Sequence, residues 1–277
     1  MADAISVTRN GHRTFFKWHR GRRRASDPVF TGTRIVEGML AGASVEVDLV
    51  IHGERGFAVL HDLTLGREST GSGAVVSKSA AELRDLHLRD NAGAEIVEPV
   101  LLLEDLSALL GGEEIHPEAL LQLDYKEDAA ALDAVAIANF ARSVGPMARH
   151  MILSSGDAEA VDLLTGAAPD IRVGYDPCHD GALERLAVSK DFAGFVADAV
   201  AASPRAELIY LAYSLVLAAD DAGFDIIAAF HAHGRRIDAY TIQRADAAGL
   251  AVVERLLGLQ VDQITTDDPE GLAAALG

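Results

Sequence analysis

Residues 120–154 read LLQLDYKEDAAALDAVAIANFARSVGPMARHMILS, and this stretch decides the fold class. An apolar run at Leu120–Tyr125 is followed by an Ala-rich segment of helical type at Asp128–Val144 and by a second apolar run at Met151–Ser154. A short buried strand, a helix and another strand form the unit from which parallel sheets are built. The stretch therefore predicts one strand–helix–strand unit.

The same alternation continues along the whole chain. Further helical segments are predicted at Ala158–Leu164 and Ala247–Leu257. Six more runs have the length and composition of strands: Thr14–Trp18, Val45–Val50, Ile171–Tyr175, Leu208–Ser214, Arg236–Ile242 and Val261–Thr265. Eight strands alternating with helices in 277 residues predict a single-domain α/β (β/α)8 TIM barrel over residues 1–277, with a doubly wound open sheet as the second choice.

One irregularity interrupts the alternation after the second strand. A ninth short run at Gly56–Asp62 follows that strand closely, and the Gly- and Ser-rich sequence 70–73 comes next. Such sequence is typical of turns and loops rather than of a barrel helix. We interpret it as a small insertion after strand two, an inserted lobe at about 52–117 that lies over the barrel mouth.

The charge balance restricts the kind of ligand that the chain can bind. The 24 Lys and Arg residues against 42 Asp and Glu residues give a formal net charge of −18. Sequence-independent binding of nucleic acid needs a basic surface, so we expect no nucleic-acid partner. A site for phosphate must make its own positive field from Arg, Lys, a metal ion or helix N-termini.

Cysteine content and hydropathy bear on the compartment. The one cysteine, Cys178, excludes an intrachain disulfide, and residues 1–10 lack the apolar core of a signal peptide. The longest apolar stretch, Leu208–Ala219, is shorter than the roughly 20 residues that span a bilayer. We therefore expect a cytoplasmic protein with no membrane span, and we leave open whether it forms a homo-oligomer.

Polar residues at the carboxyl ends of barrel strands are the first candidates for a functional site. The first strand ends in His19-Arg20-Gly21. A guanidinium matches the geometry of phosphate oxygens, and an imidazole can move a proton near neutral pH. The alternative interpretation is an ordinary surface loop.

Carboxylates alternate with apolar residues on the second strand. Glu46 and Asp48 share one face, because strand residues two apart point the same way. Two carboxylates inside a barrel are costly without a cation, and a divalent metal with oxygen ligands would compensate them. Asp124 and Lys126 share a face on the third strand and could complete the site. The alternatives are an exposed edge strand with salt bridges and a purely structural Asp–Lys pair.

A second imidazole comes from His61, at the end of the extra strand. Two histidines, one donating a proton and one accepting it, are suited to cleaving a phosphodiester. The other eight have no metal-type spacing and are interpreted as structural: His12, His52, His87, His116, His150, His179, His231 and His233.

Taken together, these motifs resemble the glycerophosphodiester phosphodiesterase family. The resemblance rests first on His19-Arg20-Gly21, Glu46-Val47-Asp48 and His61-Asp62, in this order and spacing. The run 65–73, LGRESTGSG, is similar to the Leu-x-Arg-x-Thr-x-Gly-x-Gly run of the family. Weaker distal matches are Ser154-Ser155, Tyr240-Thr241-Ile242-Gln243 and Thr266-Asp267-Asp268-Pro269.

The resemblance implies a TIM barrel enzyme of lipid metabolism that hydrolyses a glycerophosphodiester to an alcohol and glycerol 3-phosphate. It implies that His19 and His61 are the general acid and base. It further implies a divalent ion, Mg²⁺ or Ca²⁺, at Glu46, Asp48 and Asp124. The small-molecule phosphodiester substrate would contact Arg20, Lys126 and Tyr240.

The chain departs from the family pattern in three places. The sequence 27–33, DPVFTGT, replaces a Pro-Glu-Asn-Thr motif, so its Glu is missing. Asp124 stands where the family has Glu, and Tyr240 and Gln243 replace Trp and Asn. Two alternatives therefore stay open: a phosphodiesterase for a sugar phosphodiester, and a catalytically impaired barrel that only binds a phosphorylated ligand. A metal-dependent sugar isomerase is a weaker alternative, because it leaves Arg20 and Lys126 unexplained.

A basic run, Arg22-Arg23-Arg24, directly follows Gly21. One interpretation is a solvated loop. The functional hypothesis is that one of these arginines contacts a second polar or anionic group on the leaving side of the substrate.

Overall fold

The computed structural model describes residues 5–145 and 147–277. The strands are β1 (Ser6–Arg9), β2 (His12–Trp18), β3 (Ser44–Ile51), β4 (Phe57–Val59), β5 (His87–Arg89), β6 (Glu95–Pro99), β7 (Leu120–Tyr125), β8 (Met151–Ser154), β9 (Arg172–Tyr175), β10 (Leu208–Ala212), β11 (Arg236–Ile242) and β12 (Gln263–Thr266). The α-helices are α1 (Gly32–Ala41), α2 (Ala80–Arg84), α3 (Leu103–Gly111), α4 (Ala134–Val144), α5 (Ala158–Ala167), α6 (Ala182–Ser189), α7 (Phe192–Ala202), α8 (Tyr213–Asp221), α9 (Ile226–His231), α10 (Ala247–Gly258) and α11 (Pro269–Leu276).

Eight of these strands form a closed parallel barrel in the order β2, β12, β11, β10, β9, β8, β7 and β3. The barrel closes where β2 pairs with β3, through Lys17 beside Ser44 and Trp18 beside Val45. The predicted (β/α)8 barrel is therefore confirmed, and the open sheet is excluded because no barrel strand is left as an edge. Outside the barrel, β1 runs antiparallel to β2 and β4 runs antiparallel to β3.

The register of β3 against β7 positions the candidate site. Glu46 lies beside Gln122, and Asp48 lies beside Asp124. All eight residues of β3 are buried, so the alternative of an exposed edge strand is wrong. The apolar residues of β3 belong to the main hydrophobic core, whereas its carboxylates alternate with them. The sequence alternation thus directs both carboxylates toward the barrel interior.

The helix predicted at Asp128–Val144 starts later than expected. Residues Ala129–Ala131 form a short 3-10 helix capped by the side chain of Asp128, which accepts a hydrogen bond from the Ala131 amide. The α-helix α4 then begins behind Asp133, whose side chain accepts from the amides of Val135 and Ala136. Two successive Asp caps divide the segment, because each offers the backbone a local acceptor.

The apolar stretch Leu208–Ala219 is shared between a strand and a helix. The prediction that the strand reaches Ser214 is wrong, since β10 ends at Ala212 and α8 begins at Tyr213. Ala212 is itself the residue before the helix, so no polar linker marks the boundary in the sequence. Across the described residues, 5–145 and 147–277, no helix is both long and apolar enough to cross a membrane.

The chain between β3 and α3 holds β4, α2 and a separate two-stranded sheet of β5 and β6. This is the greater part of the lobe expected at about 52–117. Helix α3, at the end of that range, contacts α1 and α4. It lies with the helices that surround the barrel, whereas the two-stranded sheet is an addition to the barrel plan.

Helix α1 packs closely on the strands that carry the site. A Cβ added at Gly38 would lie 2.7 Å from Cγ2 of Val45 and 3.1 Å from Cε3 of Trp18. Both neighbours are buried, and Val45 is β-branched, so neither can move away cheaply. Glycine at this position lets the helix approach β3.

We expect Gly38→Ala to lower the free energy of unfolding by about 1–3 kcal/mol, because overpacking outweighs the better helix propensity of alanine. Urea unfolding would measure this change. Gly166→Ala in α5 is the matched control, since a Cβ there meets nothing within 4 Å. The control should be stabilised by about 0.4–1 kcal/mol. Equal stabilisation of both variants would contradict the close packing at Gly38.

Candidate functional site

A sharp turn after β2 brings the first candidate residues to the barrel mouth. Residues His19–Gly21 form a short 3-10 helix in which Arg20 has a left-handed φ of 54°. The backbone N–H of Arg20 donates to Oε2 of Glu46 at 2.7 Å. Gly21 has φ of 72°, and an added Cβ would lie 2.9 Å from Cγ1 of Ile35. Glycine is therefore required here on both conformational and steric grounds.

The three predicted metal ligands lie together. Glu46, Asp48 and Asp124 each offer a carboxylate oxygen, and these oxygens lie within 4.8 Å of one another. Two predicted phosphate-binding cations adjoin them. Nε of Arg20 lies 3.2 Å from Oδ2 of Asp48, and Nζ of Lys126 lies 2.7 Å from its Oδ1. Lys126 also hydrogen-bonds Oδ2 of Asp124.

The two carboxylates of β3 compete for the same cations, and their pKa values separate. Burial alone would raise the pKa of Asp48, but the charges of Lys126 and Arg20 lower it to about 2. Burial, together with the negative charge of Asp48, raises the pKa of Glu46 well above its ordinary value. Burial would lower the pKa of Lys126, but the charges of Asp124 and Asp48 raise it above the usual range.

This cluster can hold a divalent cation. Both side-chain oxygens of Asp48 are buried, and the cations of Arg20 and Lys126 lie against them. Carboxylate oxygens are the ligands that hard divalent ions select. Three carboxylates with oxygens within 4.8 Å of one another therefore fit a metal bound by Glu46, Asp48 and Asp124.

Each candidate catalytic histidine is held by a carboxylate at the same ring nitrogen. Nδ1 of His19 lies 2.5 Å from Oδ1 of Asp267, and Nδ1 of His61 lies 2.8 Å from Oδ1 of Asp62. A hydrogen bond from Arg67, with a second from His61, lowers the pKa of Asp62 below its ordinary range. Because an ionised carboxylate only accepts, Nδ1 carries the proton in each ring and Nε2 is available for proton transfer.

Burial lowers the pKa of His19, although its hydrogen bond to Asp267 opposes the shift. His19 and His61 line one cavity of about 280 Å³ with Arg20, Glu46, Asp124, Lys126 and Tyr240. Asp48, 1% exposed, lies behind these residues. The structure thus brings all the predicted site residues to one mouth of the barrel.

A second cavity, of about 830 Å³, adjoins the first. Asp124, Lys126 and His179 line both cavities. The wall of the second cavity is rich in carboxylates, from Glu127, Asp128, Asp157 and Asp180. Part of this negative charge serves local structure, because Asp128 and Asp157 accept hydrogen bonds from helix amides.

Glu68 was missed by the sequence interpretation. It is 4% exposed and accepts the backbone N–H of His61 at 2.9 Å and that of Asp62 at 3.3 Å. Its other oxygen lies 3.7 Å from Arg20 and 3.0 Å from Arg67. Glu68 therefore links the His61 loop to Arg20. Arg67 and Glu68 both belong to the run 65–73 that is similar to the family motif, but no pattern in the sequence indicates that the side chain of Glu68 is buried.

His179 was interpreted as structural, yet it lines the cavity that holds the candidate histidines. Its Nε2 lies 3.0 Å from Oδ2 of Asp176, and this hydrogen bond raises the pKa of His179. An added Cβ at Gly156 would lie 2.4 Å from the ring, so the imidazole packs against bare backbone. By contrast, His12 and His231 contact Asp262, before β12, in agreement with a structural role.

The basic run after Gly21 is satisfied within the protein. Arg22 hydrogen-bonds Oδ1 of Asp267 and thereby joins the partner of His19. Arg23 pairs with Glu37 and Glu270, and Arg24 also pairs with Glu270. These carboxylates account for the three charges without a substrate, so the hypothesis of a direct substrate contact gains no support from the geometry.

Imidazoles, cations and carboxylates that meet at one mouth of a barrel are the groups that a phosphoric diester hydrolase uses. Comparison with known families agrees with this class of enzyme. The chain belongs to the glycerophosphoryl diester phosphodiesterase family, whose model matches residues 39–271. The match starts after His19 and includes the carboxylates of β3 and β7. No curated protein matches the chain.

Solved structures show the same fold. A glycerophosphodiester phosphodiesterase from Agrobacterium tumefaciens is 22% identical, with 94% of this chain and 99% of that chain covered and a TM-score of 0.66. One from Thermotoga maritima is 18% identical, with coverages of 95% and 99% and a TM-score of 0.65. An Oleispira antarctica phosphodiesterase, in complex with the product sn-glycerol-3-phosphate, is 20% identical, with coverages of 94% and 95% and a TM-score of 0.63.

We expect the pKa of His179 to lie above the ordinary 6.5 and to fall in Asp176→Asn, because the carboxylate stabilises the imidazolium. By linkage, this pair stabilises the fold fully below the ordinary pKa, and the contribution disappears as pH rises through the raised value. An NMR titration would measure it, with His179→Gln to assign the signal. Asp180→Asn is the control and should leave the pKa of His179 in place. An unchanged pKa in Asp176→Asn would contradict the pairing.

Proposed function

We propose that the chain hydrolyses glycerophosphodiesters to an alcohol and glycerol 3-phosphate, with the help of a divalent metal ion. The observation that carries the proposal is the shared cavity. Two imidazoles, each with Nδ1 on a carboxylate, line it together with Arg20 and Lys126. The product seen in the Oleispira antarctica structure, which shares this fold, supports the same substrate class here.

His19 and His61 act as the general acid and base. One Nε2 takes the proton from the attacking hydroxyl or water, and the other donates a proton to the leaving alkoxide. The carboxylates of Asp267 and Asp62 hold each ring in one tautomer and stabilise the imidazolium that forms during transfer. The lowered pKa of His19 keeps its imidazole neutral at pH 7, which suits a base.

Arg20 and Lys126 bind the phosphate. The body of the protein carries a net charge of −18 and repels an anion at long range, so these two cations supply the local attraction. Both side chains are mostly buried and are oriented by Asp48, which lowers the cost of arranging them around developing charge. Tyr240 lines the same cavity, where it would contact the substrate.

Glu46, Asp48 and Asp124 would hold the ion, either Mg²⁺ or Ca²⁺, because all three provide hard oxygen ligands. Such an ion, when bound, supplies Lewis-acid polarisation of a phosphate oxygen. Lys126 contacts Asp48 and Asp124, two of these ligands, and it also lines the cavity, where its ammonium would bind the phosphate beside the ion.

The adjoining cavity of about 830 Å³ provides space for the alcohol. Its carboxylates disfavour an anionic alcohol and favour a neutral or cationic one, by simple charge repulsion and attraction. A sugar alcohol fits this description as a second substrate type. A panel of phosphodiesters, scored by release of the phosphomonoester, separates these substrates.

We expect His19→Ala and His61→Ala each to lower kcat by about 10²–10⁴-fold, because each variant removes one partner of the proton transfer. The assay follows release of glycerol 3-phosphate from a glycerophosphodiester. His150→Ala is the matched control, because His150 immediately precedes β8 at the opposite end of the barrel. Near wild-type turnover in either site variant would refute the assignment. A wild-type protein that cleaves no member of the panel would indicate a barrel that only binds phosphorylated ligands.

Removal of divalent ions by a chelator should abolish hydrolysis, and added Mg²⁺ or Ca²⁺ should restore it. The reason is that the ion, held by Glu46, Asp48 and Asp124, would polarise a phosphate oxygen and add positive charge beside the anionic substrate. Activity would be measured before chelation, after it and after titration with each ion. Activity that is indifferent to the chelator would exclude the metal from the mechanism.

A further inference from the structure

A line of buried polar side chains runs from the barrel interior to the candidate metal ligand Asp124. It starts at Lys17 on β2, which is 1% exposed and whose Nζ lies 2.9 Å from Oδ2 of Asp238 on β11. Lys17 also donates to Oε1 of Gln122. Gln122 in turn donates from Nε2 to Oγ of Ser154 at 2.8 Å, and Ser154 donates to Oδ1 of Asp124 at 2.6 Å.

The charge of Lys17 gives this line a single direction. An ammonium group has three donors and no acceptor, so the carbonyl oxygen of Gln122 must face Lys17. The amide NH₂ of Gln122 then faces Ser154, whose oxygen accepts the bond. The hydroxyl of Ser154 has one proton, and that proton is left for Asp124. Reversing any bond of the line would place two donors against each other.

The ion pair of Lys17 and Asp238, where the line starts, has further contacts that restrain it. Asp238 is 0% exposed, and its Oδ1 accepts a hydrogen bond of 2.6 Å from Thr265 on β12. The ammonium of Lys17 also lies 4.2 Å from the ring centroid of Tyr210 on β10, a cation–π contact. Three strands besides β2 therefore restrain the lysine. Its exchange for an apolar residue would leave the buried carboxylate of Asp238 without its cationic partner, with the hydrogen bond from Thr265 remaining.

We propose that Ser154, oriented by Lys17 through Gln122, is a positioning residue for the metal ligand Asp124. Its hydroxyl holds Oδ1 of Asp124 in one orientation, which directs Oδ2 toward Asp48 and Lys126, where the metal ligands converge. Ser154 is fully buried and lies outside the lining of the site cavity, so its link to the proposed ion runs through Asp124. This inference rests on the proposed function, in which Asp124 is a metal ligand.

The burial of the line supports a positioning role. Ser154 is 0% exposed and Gln122 is 5% exposed, so water has little access to the bond between them. Partners that orient a metal ligand from behind typically contribute about 10–100-fold to metal affinity. A purely structural network would contribute to the free energy of unfolding and leave the metal affinity unchanged.

The experiment is a calorimetric titration of the chelator-treated full chain with Mg²⁺ and, separately, with Ca²⁺. We expect Ser154→Ala to raise the Kd of the ion about tenfold or more. Ser107→Ala in α3 is the matched control, because Ser107 is 2% exposed and lies outside the line. The control should bind each ion as the wild type does. Urea unfolding of both variants would record any loss of stability separately.

A double variant, Lys17→Met with Asp238→Asn, tests the origin of the line without leaving a buried charge unpaired. The amide of Gln122 is then free to rotate, so the metal affinity should fall, but by less than in Ser154→Ala. Wild-type affinity in the folded double variant would overturn the role of Lys17.

Two outcomes of the titration separate the proposals. A wild type that binds neither ion would overturn the metal site of the proposed function. A wild type that binds, with Ser154→Ala binding equally well, would overturn only the positioning role of Ser154.

Discussion

The structure depends above all on the burial of two carboxylates, Glu46 and Asp48, in the wall of a closed barrel. Buried negative charge is strongly unfavourable unless cations or donors compensate it. Arg20 and Lys126 provide that compensation from the ends of the two neighbouring strands, β2 and β7. The same charges that stabilise the wall of the barrel therefore place the proposed phosphate-binding cations beside the proposed metal ligands.

Carboxylates also orient the polar groups around Glu46 and Asp48. Carboxylates orient both candidate catalytic imidazoles, and Glu68 fastens the loop of one of them to Arg20. In a protein of net charge −18, carboxylates thus orient the basic side chains of the proposed anion site. The positive field of these side chains is local, and acidic residues line the adjoining cavity, where we propose that the alcohol lies.

The interior of the barrel is more polar than a core of apolar layers. Lys17 and Asp238 form an ion pair there, and hydrogen bonds carry its orientation outward through Gln122 and Ser154. Because a buried network tolerates only one arrangement of donors and acceptors, it can transmit orientation over several residues. The barrel core and the proposed metal site are in this way parts of one hydrogen-bonded system.

The sequence alone determined the barrel, because eight apolar runs that alternate with helical segments are visible without knowledge of contacts. It also determined the candidate ligands on β3 and β7, because side chains alternate along any strand. Tertiary structure decided the rest. Asp267 and His179 reach the site from segments distant in sequence from His19 and His61, the burial of Glu68 follows from its contacts with Arg20 and the His61 loop, and Lys17 pairs with Asp238 on another strand. Contacts between residues far apart in sequence form when the strands close into a barrel, and no local sequence pattern predicts them.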